Sequence, residues 1–124
     1  MKIFKDKWFT RFARRNDITD GDLCEAVDRA ERGLIDADLG GGVIKQRIPR
    51  LNEGRSGGYR SIVLFRTRER AFFVFGFAKN ELDNISAREL KDFRELATIV
   101  LNLTAVQLEL AVKEEKLFEV KCDE

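Results

Sequence analysis

Two neighbouring segments limit what this chain can fold into. Tyr59-Arg60-Ser61-Ile62-Val63-Leu64-Phe65-Arg66 and Ala71-Phe72-Phe73-Val74-Phe75-Gly76-Phe77 are separated only by Thr67 to Arg70. Both are rich in β-branched and aromatic residues, which suit a pleated surface. A connection this short makes them an antiparallel hairpin. The first run is so continuously apolar that its strand must be central, with a layer on each face. Gly76 predicts a bulge or a close approach of another group to the backbone.

The remaining elements arrange themselves around that hairpin. Val43 to Ile48 alternates, with Val43, Lys45 and Arg47 on one side and Ile44, Gln46 and Ile48 on the other. This is the pattern of a strand with a basic face. Pro49 closes it, and Arg50 to Gly58 forms a connection. Ile3 and Phe4 suit a short first strand. Residues 6–15 read as a helix whose Trp8, Phe9 and Phe12 are core residues. The cluster Asp17 to Asp20 caps a second helix from about Gly21 to Arg32, which Gly33 ends. Leu34 to Gly42 reads as a loop. Ser86-Ala87-Arg88-Glu89 and Thr104-Ala105-Val106-Gln107 are capping boxes for two further helices, with a break near Asn102 and Leu103. Leu117 to Val120 suits a short returning strand, and about 116–124 forms an acidic tail. The expected fold is α+β: an antiparallel three- to four-stranded sheet packed against N-terminal and C-terminal helices. Residues 1–124 form a single domain in this reading.

Residue content narrows the chemistry. No apolar run approaches the roughly 20 residues that span a bilayer, and the first residues carry no apolar signal segment. The expectation is a cytoplasmic protein without a membrane partner. There is no histidine, which removes histidine zinc sites, the Ser-His-Asp triad and histidine acid–base catalysis. The two cysteines, Cys24 and Cys122, form no CxxC pair and read as free thiols. Glu81 and Asp83 are too isolated for a metal site, so no metal or cofactor is expected. Proton transfer falls to Lys, Arg, Tyr, Asp or Glu.

Charge then points to a partner. The net charge is +1, yet residues 43–79 alone carry +7, between flanks of −1 and −5. Seven arginines with Lys45 and Lys79 fit phosphate, since guanidinium forks bind it bidentately and stay charged. A solvated sheet face is the competing reading. Gly54-Arg55-Ser56-Gly57-Gly58-Tyr59-Arg60 is glycine-rich but lacks the spacing of a nucleotide-binding P-loop, and a strand follows it rather than a helix. As a hairpin, it would bring Arg55 and Arg60 near Lys45 and Arg47. Such a cluster could stabilise the charge that builds on phosphorus when a ribose 2′-OH attacks it. Like charges disfavour a protonated lysine, so Lys45 is the candidate proton carrier.

The segment Gly57-Gly58-Tyr59-Arg60 before an apolar strand, with an aromatic strand ending Gly76-Phe77-Ala78-Lys79-Asn80, resembles the RelE-like toxins of the RelE/ParE superfamily. The resemblance covers roughly residues 1–115. It implies the toxin of a toxin–antitoxin pair, and for many such toxins a metal-independent endoribonuclease that cuts mRNA on the ribosome and inhibits translation. It implies a neutralising antitoxin, of helix-turn-helix type, as a partner. Arg60 would contact the scissile phosphate, with Lys45 and Lys79 as catalytic partners. Arg47, Arg50 and Arg55 would bind RNA. Two features depart from the pattern: no tyrosine or histidine stands near the C-terminus, and the net charge is near neutral.

Two other functions stand beside the nuclease. A toxin of the same superfamily could bind a protein target such as a topoisomerase, which predicts DNA-damage signalling. A non-catalytic module could use its sheet to bind protein or nucleic acid, which predicts no effect on growth. The phenylalanines Phe65, Phe72, Phe73, Phe75 and Phe77 are read as core for the most part, with contact to an antitoxin as the alternative.

Overall fold

The computed structural model describes residues 1–49, 58–78 and 85–122. Among these residues six strands form one sheet: β1 (Lys2–Asp6), β2 (Ala37–Gly40), β3 (Val43–Ile48), β4 (Tyr59–Arg66), β5 (Arg70–Ala78) and β6 (Leu117–Glu119). Their order is β2-β3-β4-β5-β1-β6. Four helices accompany them: α1 (Lys7–Arg15), α2 (Asp20–Glu31), α3 (Ala87–Val100) and α4 (Ala105–Lys113). The class is α+β as expected, but the sheet is larger than three or four strands.

Both edges explain the difference. On one side, Ala37–Gly40 is a strand rather than part of a loop. Asp38 accepts the Gly40 N–H at 2.9 Å, and the chain turns back into β3 through glycines with positive φ. A Cβ at Gly42 would lie 2.9 Å from Leu101 Cδ1, so the turn is also where α3 closes on the sheet. On the other side, β1 lies parallel to β5, and β6 lies antiparallel to β1. The sheet is therefore mixed, because the chain's first segment enters between two elements far away in sequence.

The β3–β4–β5 core follows the sequence pattern closely. Tyr59 pairs with Ile48, and Arg66 pairs with Arg70 across the tight turn. The sheet has a core on each face. One joins Phe9, Ala13, Leu23 and Val27 of α1 and α2 to Ile44, Ile48, Val63 and Phe73. The other joins Val43, Ile62, Leu64, Phe72 and Phe77 to Ala97, Leu101 and Leu108 of the α3–α4 side. Of the five phenylalanines, Phe65, Phe72, Phe73 and Phe77 are buried and Phe75 is partly buried, so core packing accounts for most of them.

The irregularity in β5 is not at Gly76. The register slips between Ile62 and Val63, leaving Val74 as the extra residue. Gly76 serves close approach instead: a Cβ there would fall 2.5 Å from the Phe12 ring. Helix starts match the sequence signals. Thr19, Ser86 and Thr104 each form a capping box, and Asp6 caps α1 through the Phe9 N–H at 2.7 Å.

The cysteines are a correction. Cys24 and Cys122 are joined in a disulfide across 98 residues. After β6, Val120 N–H donates to Ile3 C=O at 2.8 Å and Lys121 N–H to Asp20 Oδ2 at 3.0 Å. These bonds lay the tail along the start of α2, with the two Cα atoms 5.8 Å apart, within disulfide reach. Among the described residues no single helix is long and apolar enough to cross a membrane. α3 and α4 together have the composition for it but meet at a bend of 113°.

Candidate nucleic-acid interface

Arg47 and Arg60 face each other directly across β3 and β4. Lys45 stands two residues back on the same face, opposite Ile62, which places it diagonal to Arg60. Diagonal neighbours lie about 7–8 Å apart between Cα atoms, within reach of side chains this long. The three cations thus share one face at one end of the sheet, all half-buried.

Like charges directly opposite each other are destabilising, and among the described residues nothing offsets them. Arg47 Nε and Arg60 Nη1 are buried without a hydrogen-bond partner. None of the three side chains has an ion pair among the described residues. A buried donor without an acceptor costs about 1–3 kcal/mol, more when charged. Two such guanidinium groups side by side suit an anion that accepts from both.

The backbone of Arg47 is held with unusual care. Strand β2 pairs only as far as Ala37 opposite Lys45, so the outer edge of β3 lacks a strand at Arg47. Two side chains take the strand's place. Asp36 Oδ2 accepts the Arg47 N–H, and Arg29 Nη2 donates to the Arg47 carbonyl. Beneath them Gln46 is buried and satisfied. Its amide donates to Ala26 C=O at 2.9 Å and Leu34 C=O at 3.0 Å, and its oxygen accepts from Asp36 N–H at 3.0 Å. Ser61 Oγ adds a bond to Gln46 C=O at 2.8 Å. The alternation of β3 showed which residues face inward. It gave no sign of Arg29 and Asp36, which lie 18 and 11 positions away.

The sequence-derived site divides accordingly. Lys45, Arg47 and Arg60 come together. Arg50, Arg55 and Lys79 lie outside the described residues, as do the Gly54–Gly57 part of the glycine-rich motif, Glu81, Asp83 and Asn84. Arg66 and Arg70 turn elsewhere. Arg66 Nη1 donates to Leu101 C=O at 2.7 Å and Arg70 Nη1 to Val100 C=O at 3.3 Å, so both cap the C-terminus of α3. Tyr59 is buried and its hydroxyl donates to Asn16 Oδ1 at 3.1 Å, the packed strand residue that its position suggested.

Trp8 departs from its core assignment. It is 40% exposed, with its ring over Phe75 at 4.6 Å and stacked on Phe12 at 5.4 Å. Among the described residues no group of three or more histidine, cysteine or carboxylate side chains could hold a metal ion. Burial pushes the Asp6 carboxyl up to about 6, against the Phe9 N–H and Arg11, which favour its charged form. Its engagement as a helix cap gives that residue a structural role.

Compared with known families, residues 1–120 match the RelE toxin of the RelE/RelB toxin–antitoxin system. No curated protein matches the chain.

Proposed function

The chain belongs to the RelE toxin family, and from that premise we propose that it is an endoribonuclease that cuts mRNA, on the ribosome, and so stops translation. One observation carries the reading: Arg47 and Arg60 oppose each other with buried N–H groups that lack acceptors among the described residues, and Lys45 stands diagonal to Arg60. A phosphodiester supplies the missing acceptors.

The proposed roles combine the face that Lys45, Arg47 and Arg60 share with what the family resemblance implies for Lys79, Arg50 and Arg55. Arg60 and Arg47 grip the scissile phosphate and stabilise the extra negative charge as phosphorus becomes pentacovalent. Lys45, in its neutral form, takes the proton of the ribose 2′-OH. The 2′-oxygen bonds to phosphorus, the bond to the 5′-oxygen breaks, and a protonated Lys79 supplies the proton that oxygen needs. The products are a 2′,3′-cyclic phosphate and a 5′-hydroxyl. Arg50 and Arg55 bind flanking phosphates. The substitution of lysines for the absent histidine keeps the proton balance intact without a metal.

The family pairs its toxin with an antitoxin. An acidic segment of that protein, which we take to be of helix-turn-helix type, would cover the same cations and compete with RNA. The toxin acts in the cytoplasm in this reading.

Primer extension on mRNA after brief induction tests the proposal. Discrete new 5′ ends are expected, and purified protein should cut on ribosomes with a chelator present. Growth arrest with intact mRNA and DNA-damage signalling would overturn it in favour of a protein target. Harmless expression of folded protein without its antitoxin would overturn it in favour of a binding module.

A further inference from the structure

Trp8 is the one tryptophan of the chain. It is held in place yet two-fifths exposed. Burying so large a ring is worth roughly 2–3 kcal/mol, and Phe12 and Phe75 both offer it contact. Its neighbours on the sheet lead straight to the cations. Phe77 pairs with Arg60, and Phe75 lies beside Phe77 with ring centroids 6.0 Å apart. Phe75 in turn supports Trp8. Phe75 and Phe77 are two positions apart with Gly76 between them, about 7 Å along β5. The row therefore runs from Arg60 across to Phe77, along β5 to Phe75 and on to the exposed indole, a path longer than one nucleotide step. Cations that lack acceptors, next to a rigid aromatic ring that faces water, are the two halves of a single-strand nucleic-acid groove.

We propose that Trp8 is a stacking platform for a nucleobase of the RNA strand whose phosphate sits at Arg47 and Arg60. The inference rests on the phosphate-binding reading above and adds a base subsite to it. Single-stranded RNA offers unstacked bases that suit such a ring, whereas a paired helix does not. Phe12 and Phe75 fix the indole before the strand arrives, so little ordering is left for binding to supply.

Because Trp8 alone gives tryptophan emission, the subsite reports on itself. A short single-stranded oligoribonucleotide with 2′-O-methyl riboses, which resists cleavage, is titrated into the full chain. Dye anisotropy on the oligonucleotide and tryptophan emission are followed together. The expected result is quenching with the same midpoint as the anisotropy change. Trp8→Ala should bind about tenfold more weakly, and Trp8→Phe should recover most of the loss. An oligonucleotide lacking its bases should bind the wild type and Trp8→Ala alike.

Three outcomes would overturn the proposal. If RNA binds and Arg60→Ala abolishes binding, but emission and the Trp8→Ala affinity stay unchanged, the platform fails and the phosphate site stands. If Trp8→Ala weakens only the antitoxin, the ring belongs to that interface. If wild-type protein binds no RNA by either signal, the phosphate-binding reading fails and takes the platform with it. Should Trp8→Ala fail to fold, Trp8→Phe and the baseless oligonucleotide decide the matter on intact protein.

Discussion

The same face of the same sheet carries two opposed pairs of arginines, and their fates differ. At the hairpin end, Arg66 faces Arg70, and both guanidinium groups donate to carbonyls at the end of α3. The negative end of a helix offsets their charge, and Glu69 lies 3.7 Å from Arg66. At the other end, Arg47 faces Arg60, and nothing in the described chain accepts from their buried N–H groups. The composition of the two pairs is identical. What separates them is the presence of an acceptor. The first pair completes the fold, and the second leaves a demand that the described residues do not meet. A protein can sustain such a local cost where binding repays it.

The largest expected effect tests the unmet pair. Arg60→Ala should reduce mRNA cleavage by about 100- to 1,000-fold, the usual loss for a donor aimed at transition-state charge. Its thermal stability should hold or rise, since a like-charge contact is removed. Primer extension and a melting curve on the same preparation give both numbers. A variant that loses stability and cleavage together would make Arg60 a structural residue like Arg66, and the contrast would vanish.

The disulfide sharpens the contrast from outside both pairs. Closing a loop of 98 residues should contribute about 3–5 kcal/mol, chiefly by limiting the unfolded chain. Cys122→Ser, or a dithiol reductant, should lower the urea midpoint accordingly. Activity per folded molecule should stay the same, because the hydrogen bonds that hold the tail run to Ile3 and Asp20 rather than to either arginine pair. A change in cleavage by the folded reduced protein would show that α2 transmits the state of the tail through Arg29 to Arg47.

How far the sequence reveals this arrangement depends on where each signal lives. The hairpin, the two capping boxes, the cap cluster before α2 and the alternation of Lys45 and Arg47 are local patterns, and the structure keeps them. Strand β2 is four residues, Ala-Asp-Leu-Gly, without a β-branched or aromatic side chain, and only its pairing to β3 makes it a strand. The insertion of β1 between β5 and β6 depends on contacts between the two ends of the chain, and so does the disulfide. The convergence of Lys45, Arg47 and Arg60 is legible because residues two apart on a strand share a face. The opposite roles of Arg66 and Arg60 are not legible. Each sits in an apolar strand beside polar neighbours, and only the position of the α3 terminus separates them. Trp8 misleads for a related reason: its helical spacing with Phe12 is correct, but the helix starts at the open edge of β5 beyond the end of β1.

A smaller effect tests the satisfied pair. Arg66→Ala removes a short charge-assisted bond to Leu101 and leaves that carbonyl only the long Arg70 Nη1 bond at 3.5 Å. The expected loss is about 1–2 kcal/mol of stability, with cleavage per folded molecule unchanged. Denaturant titration and a single-turnover assay check the two halves. If Arg66→Ala instead depresses cleavage as Arg60→Ala does, the phosphate groove extends along the whole face and α3 is not the partner that matters.

The smallest expected effect separates pH dependence of the fold from pH dependence of the chemistry. Asp6 caps α1 with its carboxyl raised to about 6 from 3.8, mainly by burial. Between those values the folded chain holds a proton that the unfolded chain has released, so stability falls as pH rises from about 4 to 6. Allowing for the solvent that still reaches the group, the change is about 1 kcal/mol. Asp6→Asn keeps a good capping residue without the charge. Its stability should be flat across that window and slightly higher at pH 7 than the wild type's. Melts from pH 4 to 7 check this directly. A cleavage profile that still changes across that window in Asp6→Asn has its origin outside the cap of α1. One that becomes flat in the variant would instead trace the wild-type profile to the start of α1.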